Sequence, residues 1–156
     1  MCFLYLFSMK KEISAGIIVY IREKNKIEYL LLHYEEGHWD FPKGHVENSE
    51  KIESTAKRET KEETGLMVKP NIKFRKLITY SFVSNQNKIV NKKAYFFIGE
   101  AKSKKVKLSS EHIDYEWLDY ENALQRLTYN NVKDLLKKAD EFLAKAQRLS
   151  TSTVTN

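Results

Sequence analysis

Cysteine and long apolar runs are scarce in this sequence, and their scarcity narrows the class of protein. The chain has a single cysteine, Cys2, which cannot form an internal disulfide. A disulfide-stabilised scaffold is therefore excluded, and a reducing cytoplasm is the expected location. Hydrophobic residues make up 42% of the chain, as in ordinary globular proteins, and no run of about 18 apolar residues exists to cross a membrane. The 156 residues predict one soluble domain with its own core.

Internal repeats, linkers and a convincing targeting signal are also missing. The first eight residues are apolar, but they lack a basic region and run at once into MKKE, which makes a poor signal peptide. We expect Met9 to be the true or an alternative start, residues 1–8 to be an apolar N-terminal extension and residues 9–147 to form the domain. The polar end of the chain, which closes with STSTVTN, predicts a disordered tail over residues 148–156.

Acidic residues are almost absent from one stretch in the middle of the chain. Between Met67 and Ser110 there are eleven Lys or Arg residues and one acid, Glu100, so this stretch carries +10 and the rest of the chain −4, against +6 overall. Such a stretch suits an anionic partner. Many of its lysines are equally well explained as a solvated face, and no nucleic-acid-binding module is recognisable.

The hydrophobic pattern predicts an α/β protein. Runs of β-branched and aromatic residues bounded by polar or Gly/Pro turns predict strands, and apolar residues at helical spacing predict helices. Strands, one internal helix, further strands and terminal helices, in this order, indicate a mixed sheet between helices. The predicted strands are Ile13–Ile21, Glu28–Tyr34, Trp39–Phe41, Ile72–Val83, Lys92–Ala101 and Tyr115–Leu118, and the predicted helices run from an Asn48 or Ser49 N-cap to Gly65, from Asp119 or Tyr120 to Leu127, and from about Asn131 to Ala146.

The internal helix carries three carboxylates where its apolar stripe should continue. Glu59, Glu62 and Glu63 have the spacings i, i+3 and i+4, which place them on one face. At about 100° per residue, Glu59 and Glu63 lie within about 40° of the stripe formed by Ile52 and Ala56. Carboxylates held together repel one another unless a cation joins them, and hard oxygen ligands suit Mg²⁺ or Mn²⁺. The alternative is a solvated acidic face, and the inward placement of Glu59 and Glu63 weighs against it.

A 23-residue run around this helix, GHVENSEKIESTAKRETKEETGL, resembles the Nudix box. Its spacing is G-x5-E-x7-R-E-U-x-E-E-x-G-U, where U is aliphatic, and the one departure is Thr60 at the first U position. The resemblance implies a Nudix hydrolase: an α/β/α sandwich with a mixed central sheet that cleaves a nucleoside diphosphate linked to another moiety, with divalent metal bound by the box glutamates. The matching residues are Gly44, Glu50, Arg58, Glu59, Glu62, Glu63, Gly65 and Leu66.

Segments beyond the box are similar to one branch of that family, the asymmetrical diadenosine tetraphosphate hydrolases. The spelling RETKEETG, the stretch WDFPKGHVE and the later stretch LSSEHIDYEWL carry this likeness, which runs from about Glu12 to Leu143. The residue that acts as general base varies within the family, so the resemblance does not identify it here. The resemblance implies catalytic roles for Arg58, Glu59, Glu62 and Glu63, metal ligation by Gly44, Glu59, Glu62, Glu63 and Glu111, and phosphate contacts from His38 and Lys43.

Several of these residues have a structural alternative. Gly44 is equally well explained as a turn glycine that needs a positive φ. Glu50 and Arg58 lie eight residues apart, which is too far for the usual i,i+4 helix pair. The resemblance implies that both support the loop–helix–loop structure and that Arg58 orients a carboxylate. His38 is as consistent with an exposed loop histidine. Lys43 resembles an ordinary surface lysine until the Pro-Lys-Gly context is considered.

Aromatic residues are plentiful, with nine Tyr and eight Phe. Stacking a base on an aromatic ring is worth about 1–3 kcal/mol, so a dinucleotide site is expected to use some of them. Most aromatics in strands belong to the core, and we expect two of four candidates to touch a base. The four are Tyr80, Phe82, Tyr95 and Tyr129, and Lys92, or Lys93, is the candidate for a further phosphate contact.

Three functions follow from these patterns. The resemblance favours attack by water on diadenosine tetraphosphate, which yields ATP and AMP and needs Mg²⁺ or Mn²⁺. The first alternative is another Nudix substrate, above all the 5′-triphosphate end of RNA, which the basic stretch supports. The second is a catalytically silent nucleotide-binding module, against which the intact set of box glutamates argues. The protein is expected to be a cytoplasmic monomer that binds a dinucleoside polyphosphate and no membrane.

Overall fold

Seven strands form one sheet in the computed structural model, which describes residues 9–153. The strands are β1 (Lys10–Glu23), β2 (Lys26–Tyr34), β3 (Trp39–Asp40), β4 (Lys43–His45), β5 (Asn71–Val83), β6 (Ile89–Glu100) and β7 (His112–Leu118). Their order is β3-β2-β1-β6-β5, with β4 paired to β1 and β7 to β2. The central pair, β1 and β6, is parallel and the other pairs are antiparallel. The predicted mixed sheet is therefore confirmed.

Helices cover both faces of this sheet: α1 (Ile52–Thr64) on one, and α2 (Tyr120–Arg126) with α3 (Asn130–Ser152) on the other. The alternation of side chains along β1 sends Ile17 to a core cluster with Ala56 of α1, and Ile18 to the opposite cluster with Leu136 of α3. This is the predicted α/β/α sandwich. No helix within residues 9–153 is long and apolar enough to span a membrane.

The short strand β4 positions the functional region. It pairs with the middle of β1, where Ala15 lies opposite Gly44 and Gly16 lies opposite Lys43. Gly16 permits this close approach, because a Cβ there would collide with the Pro42 carbonyl oxygen and the Lys43 side chain. Directly paired residues point to the same face. Gly44 therefore faces α1, and Lys43 faces the side covered by α3.

The start of α1 differs from the prediction. Its N-cap is Lys51, which makes no side-chain capping bond, and neither Asn48 nor Ser49. Those two residues have positive φ values of 43° and 59°, so they form a left-handed loop before the helix. Glu50 consequently lies in that loop and not on α1. At the other end Gly65 terminates the helix with φ 72°, as predicted.

The C-terminal helix is longer than predicted. Because α3 continues to Ser152, the expected disordered tail is wrong for residues 148–152. Hydroxyl groups near its end donate to carbonyls of the preceding turn, as Thr151 does to Gln147 at 3.2 Å. Residues 154–156 of the predicted tail and the extension 1–8 lie outside the described residues. In the sheet, β6 begins at Ile89, three residues before the predicted start.

Thr60, the residue that departs from the box pattern, is fully buried in α1, and within residues 9–153 its hydroxyl has no hydrogen-bond partner. Thr60→Val is expected to raise the free energy of unfolding by about 1 kcal/mol, because it keeps the shape and removes a buried unpaired hydroxyl. Urea denaturation measures the change. Thr55→Val is the matched control and should destabilise, since the Thr55 hydroxyl donates to Glu50 at 2.8 Å. A Thr60→Val protein that is also less stable would contradict this account.

Candidate active site

Glu63, in the last turn of α1, is the most deeply buried of the three clustered carboxylates. It is 3% exposed, and its Oε2 accepts a hydrogen bond from the Lys43 backbone N–H at 3.0 Å. Burial raises the pKa of Glu63 to about 9; Lys43 opposes this shift, whereas Glu59 and Glu111 reinforce it. At neutral pH the side chain is therefore protonated until additional positive charge is brought beside it.

Glu59 lies one turn earlier, and its carboxylate packs against Gly44 of β4. Its side chain is 12% exposed. Gly44 does not have a positive φ, so the turn explanation is wrong. A Cβ at position 44 would overlap the Glu59 carboxylate, so any larger residue there would force that side chain to move. Burial raises the pKa of Glu59, and Arg58 counteracts part of that shift.

Arg58 connects the loop before α1 with the carboxylates on the helix. Its guanidinium donates two bonds of 3.0 Å to Glu50, one of 2.8 Å to Glu59, one of 3.1 Å to Glu62 and one of 3.0 Å to the His45 carbonyl. The sequence prediction placed Glu50 on the helix, beyond the usual i,i+4 spacing from Arg58. That placement is wrong, and the pair forms because Glu50 lies in the loop. Hydrogen bonding to Arg58 lowers the pKa of Glu50 to about 2.

The carboxylates suit a divalent cation by chemistry, although they are not a formed cage. Within residues 9–153 no three His, Cys, Asp or Glu side chains are grouped to hold an ion. The Glu62 side chain is 56% exposed and turned to Arg58. One cation already joins two of these carboxylates, because the Arg58 guanidinium bonds both Glu59 and Glu62. Glu63 lacks such a partner, because the charge of Lys43 does not bring the pKa of Glu63 back to the ordinary range. A divalent cation beside Glu63 would favour its ionised form.

Lys43 is a nearly buried cation rather than a surface lysine. Its ammonium lies 2.7 Å from Oδ2 of Asp40, and the two side chains are 9% and 5% exposed. The same ammonium lies 4.5 Å from the centre of the Tyr34 ring. The Tyr34 hydroxyl donates to the Phe41 carbonyl at 2.9 Å, and burial raises the pKa of Tyr34, which keeps that hydroxyl a donor. Lys43 is therefore held in one place.

His38 is partly buried in an aromatic group beside Lys43. Its ring stacks on Tyr34 with centroids 4.5 Å apart and lies 5.5 Å from the ring of Tyr129. Burial, and then the charge of Lys43, lowers the pKa of His38, so the ring is neutral at pH 7. His38 is not the merely exposed loop residue of the alternative explanation.

His112 and Glu111 approach the carboxylates from the start of β7. His112 is buried, its Nδ1 bonds the Ser109 hydroxyl at 3.0 Å, and its Nε2 lies 3.8 Å from Glu63. Burial, followed by the charge of Lys43, lowers the pKa of His112 to about 4, which keeps the ring neutral. Glu111 is exposed, and its charge helps to raise the pKa of Glu63. The structure thus brings Glu111 near the box carboxylates.

Three of the predicted substrate residues share the α3 face of the sheet with Lys43. Lys92 pairs with Tyr80 across β6 and β5, two residues from the buried Ala94 on the same face. The rings of Tyr80 and Phe82 lie 6.3 Å apart. Burial, and then the charge of Lys43, lowers the pKa of Lys92, as expected for cations close together. Tyr129 lies at the edge of this region, where its ring is 5.5 Å from that of His38.

Tyr95 is not brought into this group. It packs with the opposite, α1-side cluster, and the guanidinium of Arg75 lies 4.9 Å from its ring centre. Lys93, the alternative to Lys92, also points to that face because it neighbours Lys92 along the strand.

Sequence reasoning missed Asp40 and Tyr34. Asp40 sits three residues before Lys43 in the stretch WDFPKG, and an acid that close to a predicted phosphate lysine is the signal that was available. Tyr34 gave no signal, because a strand aromatic is most often part of the core.

The chain is similar to known proteins in sequence and in fold. A profile described as the NUDIX domain matches residues 10–139. The chain belongs to the Nudix family. The asymmetrical bis(5′-nucleosyl)-tetraphosphatase of Mus musculus is 34% identical over 143 residues, which cover 83% of this chain and 94% of that protein. Its counterpart in Caenorhabditis elegans is 33% identical over 133 residues, which cover 84% of this chain and 96% of that protein.

Solved structures are similar to this chain in fold. An Ap4A hydrolase of C. elegans in a binary complex matches with a TM-score of 0.73 and 30% identity, over 86% of this chain and 98% of that one. The MutT protein of Methanosarcina mazei matches with a TM-score of 0.63 and 28% identity, over 86% and 96%. Both likenesses extend well beyond the box.

The contact between Gly44 and Glu59 makes a testable point about this Nudix hydrolase. Gly44→Ala is expected to lower kcat by about 10- to 100-fold, the usual effect of disturbing a residue that orients a ligand. Stability should change little, because the displaced group is the flexible end of a side chain. Steady-state hydrolysis and a melting curve measure both. Gly16→Ala, whose Cβ meets the Pro42 carbonyl of the backbone, should instead lower the Tm. Unchanged kcat in Gly44→Ala would contradict the orienting role.

Proposed function

We propose that this Nudix hydrolase cleaves diadenosine tetraphosphate to ATP and AMP by attack of water on a phosphoanhydride, with the help of Mg²⁺ or Mn²⁺. One observation carries the proposal: Lys43 belongs to two regions at once. Its backbone N–H donates to the buried Glu63, and its side chain faces the sheet surface that carries Lys92. A polyphosphate that follows these lysines ends beside the carboxylates. The relatives named for asymmetrical cleavage support the choice of substrate.

The residues on the sheet face have binding roles in this proposal. Lys43 and Lys92 supply positive charge to the phosphate chain, and the neutral His38 ring donates a hydrogen bond to it. Tyr80, which pairs with Lys92 across β5 and β6, and Tyr129, whose ring lies 5.5 Å from that of His38, are the two aromatic residues we assign to base stacking. Phe82 extends the same aromatic surface beyond Tyr80.

The acidic residues have a different task. When bound, a divalent ion neutralises phosphate oxygens and lowers the pKa of a water molecule. Glu63 must lose its proton for this, and Arg58 keeps the Glu59 carboxylate in one orientation. Glu62, the most exposed of the three, is assigned either to share the ion or to orient the attacking water, and the choice of general base stays open. The residues assigned to hold the ion are Gly44, Glu59, Glu62, Glu63 and Glu111.

The 5′-triphosphate end of RNA is the second candidate substrate. It rests on the basic stretch, whose exposed lysines include Lys73, Lys76 and Lys88 on and between β5 and β6. These would attract a longer polyanion than a dinucleotide. Cytoplasmic location and a monomeric state remain predictions.

A substrate panel tests the proposal. Diadenosine tetraphosphate, ADP-ribose, oxidised deoxynucleotides and triphosphorylated RNA are each incubated with enzyme and Mg²⁺, and the products are separated by ion exchange. Diadenosine tetraphosphate should have by far the highest kcat/KM and give one ATP and one AMP per turnover. EDTA should abolish turnover, and Mg²⁺ or Mn²⁺ should restore it. In ¹⁸O-water the label should enter AMP and not ATP.

The other results of this panel separate the alternatives. Two molecules of ADP would overturn the asymmetrical cleavage. Preferred release of pyrophosphate from RNA would establish the second candidate. Tight nucleotide binding without turnover in any metal would identify a silent binding module, and full activity in EDTA would remove the metal from the mechanism.

A further inference from the structure

Asp40 is a buried carboxylate to which the proposed function assigns no task. It closes the two-residue strand β3 and is 4% exposed. Its Oδ1 accepts from the Phe41 backbone N–H at 2.7 Å, and its Oδ2 lies 2.7 Å from the Lys43 ammonium. A buried ion pair is a poor source of net stability, because desolvation of both charges offsets their attraction. The fold alone does not explain why an acid occupies this position.

The consequence of the pair is seen at Lys43. An ammonium has three N–H donors on a flexible four-carbon stem, and in most proteins it is mobile. Here Asp40 engages it from one direction and the Tyr34 ring from another. Both partners are themselves fixed, Asp40 by the Phe41 N–H and Tyr34 by the Phe41 carbonyl. The side of the Lys43 ammonium that faces neither Asp40 nor the Tyr34 ring is the side on which a ligand oxygen can bind.

We propose that Asp40 is a positioning residue: with the Tyr34 ring it locks the Lys43 ammonium in the place where a phosphate of the substrate binds. The chain thereby pays the rotamer entropy of Lys43 during folding and not during substrate binding. This inference rests on the proposed function to the extent that Lys43 contacts phosphate. It does not depend on which polyphosphate is the substrate.

A double-mutant cycle tests the proposal. The variants are Asp40→Asn, Lys43→Met and both together, and the first readout is the Kd of ATP with Mg²⁺, which requires no turnover. Asp40→Asn keeps the size of the side chain and removes its charge. It should weaken binding by about tenfold, the loss expected when a charge-assisted contact is no longer held in place. In the Lys43→Met protein the same change should alter Kd by less than about twofold.

The second readout is turnover, which separates this inference from the proposed function. Asp40→Asn should raise KM for the preferred substrate of the panel much more than it lowers kcat. Asp134→Asn is the matched control, since its partner Lys137 is on the exposed side of α3. If wild-type enzyme fails to cleave diadenosine tetraphosphate, the proposed function falls, and the ATP-binding cycle still decides the role of Asp40.

Two results would overturn the positioning role. One is an equal loss of affinity from Asp40→Asn with and without Lys43, which a purely structural residue would give. The other is an unchanged Kd and KM in Asp40→Asn when its melting temperature matches that of wild type. Melting curves also check that each variant of the cycle is folded. Lys43→Met leaves the buried Asp40 unpaired, so it should lower the Tm more than the double variant does.

Discussion

Replacing Glu63 with Gln is expected to lower kcat by about 10²-fold or more, because Glu63 is one of the carboxylates assigned to hold the divalent ion that activates water and neutralises phosphate charge. Glutamine keeps the shape and can still accept the bond from the Lys43 N–H, but it cannot become negative. Glu63 is the carboxylate whose proton must be displaced by added positive charge, because burial raises its pKa to about 9. Steady-state kinetics with diadenosine tetraphosphate and saturating Mg²⁺ measure the loss.

The same substitution has a predicted signature in stability. A folded-state pKa above the unfolded value means that the native protein holds the proton more tightly. This contribution to stability is full below the ordinary glutamate pKa and is lost as pH rises toward about 9. In EDTA, the Tm of wild type should therefore decline between pH 5 and pH 8 more than that of Glu63→Gln. At pH 8 the variant should melt at the same temperature as wild type or higher.

Glu53→Gln is the control for both measurements, since Glu53 lies in the first turn of the same helix on a partly exposed surface. It should leave kcat and the pH dependence of the Tm unchanged. A fully active Glu63→Gln enzyme would remove Glu63 from the catalytic group. A large fall of its Tm at both pH values would show instead that the carboxyl is needed for folding.

The sequence predicted the sheet and its layers well, because they depend on patterns that repeat along the chain. Ile17 and Ile18 alternate between two cores, and Gly65 ends α1 in the conformation that glycine favours. The helical positions of the box also predicted that Glu63 faces inward, as its burial confirms. Periodicity is a local property, so the sequence alone contains it.

The details of the site depend on loops and on contacts between distant segments, which periodicity does not encode. Asn48 and Ser49 resemble N-caps in sequence, but their left-handed conformation starts the helix later and leaves Glu50 in a loop. That shift is what lets Glu50 reach Arg58. The Asp40–Lys43 pair likewise depends on the turn between β3 and β4, which brings the two side chains together.

Arg58→Lys is expected to lower both activity and stability, although it conserves charge. A lysine cannot reproduce five hydrogen bonds made by one planar fork. The loss of bonds to charged partners should reduce the free energy of unfolding by about 1–3 kcal/mol. Without the guanidinium, the Glu59 and Glu62 carboxylates lose their orientation, and kcat/KM should fall by about 10- to 100-fold. Urea denaturation and steady-state kinetics give the two numbers.

The pH dependence of the residual activity distinguishes orientation from simple loss of fold. Arg58 holds down the pKa of Glu59 against the effect of burial. In Arg58→Lys that pKa should rise, so the acid limb of the kcat/KM profile should move to higher pH. Arg75→Lys is the matched control, because Arg75 is exposed and approaches Glu53 of the same helix only at 4.0 Å. An Arg58→Lys enzyme with a wild-type profile and wild-type kcat/KM would show that the guanidinium network does not organise the catalytic carboxylates.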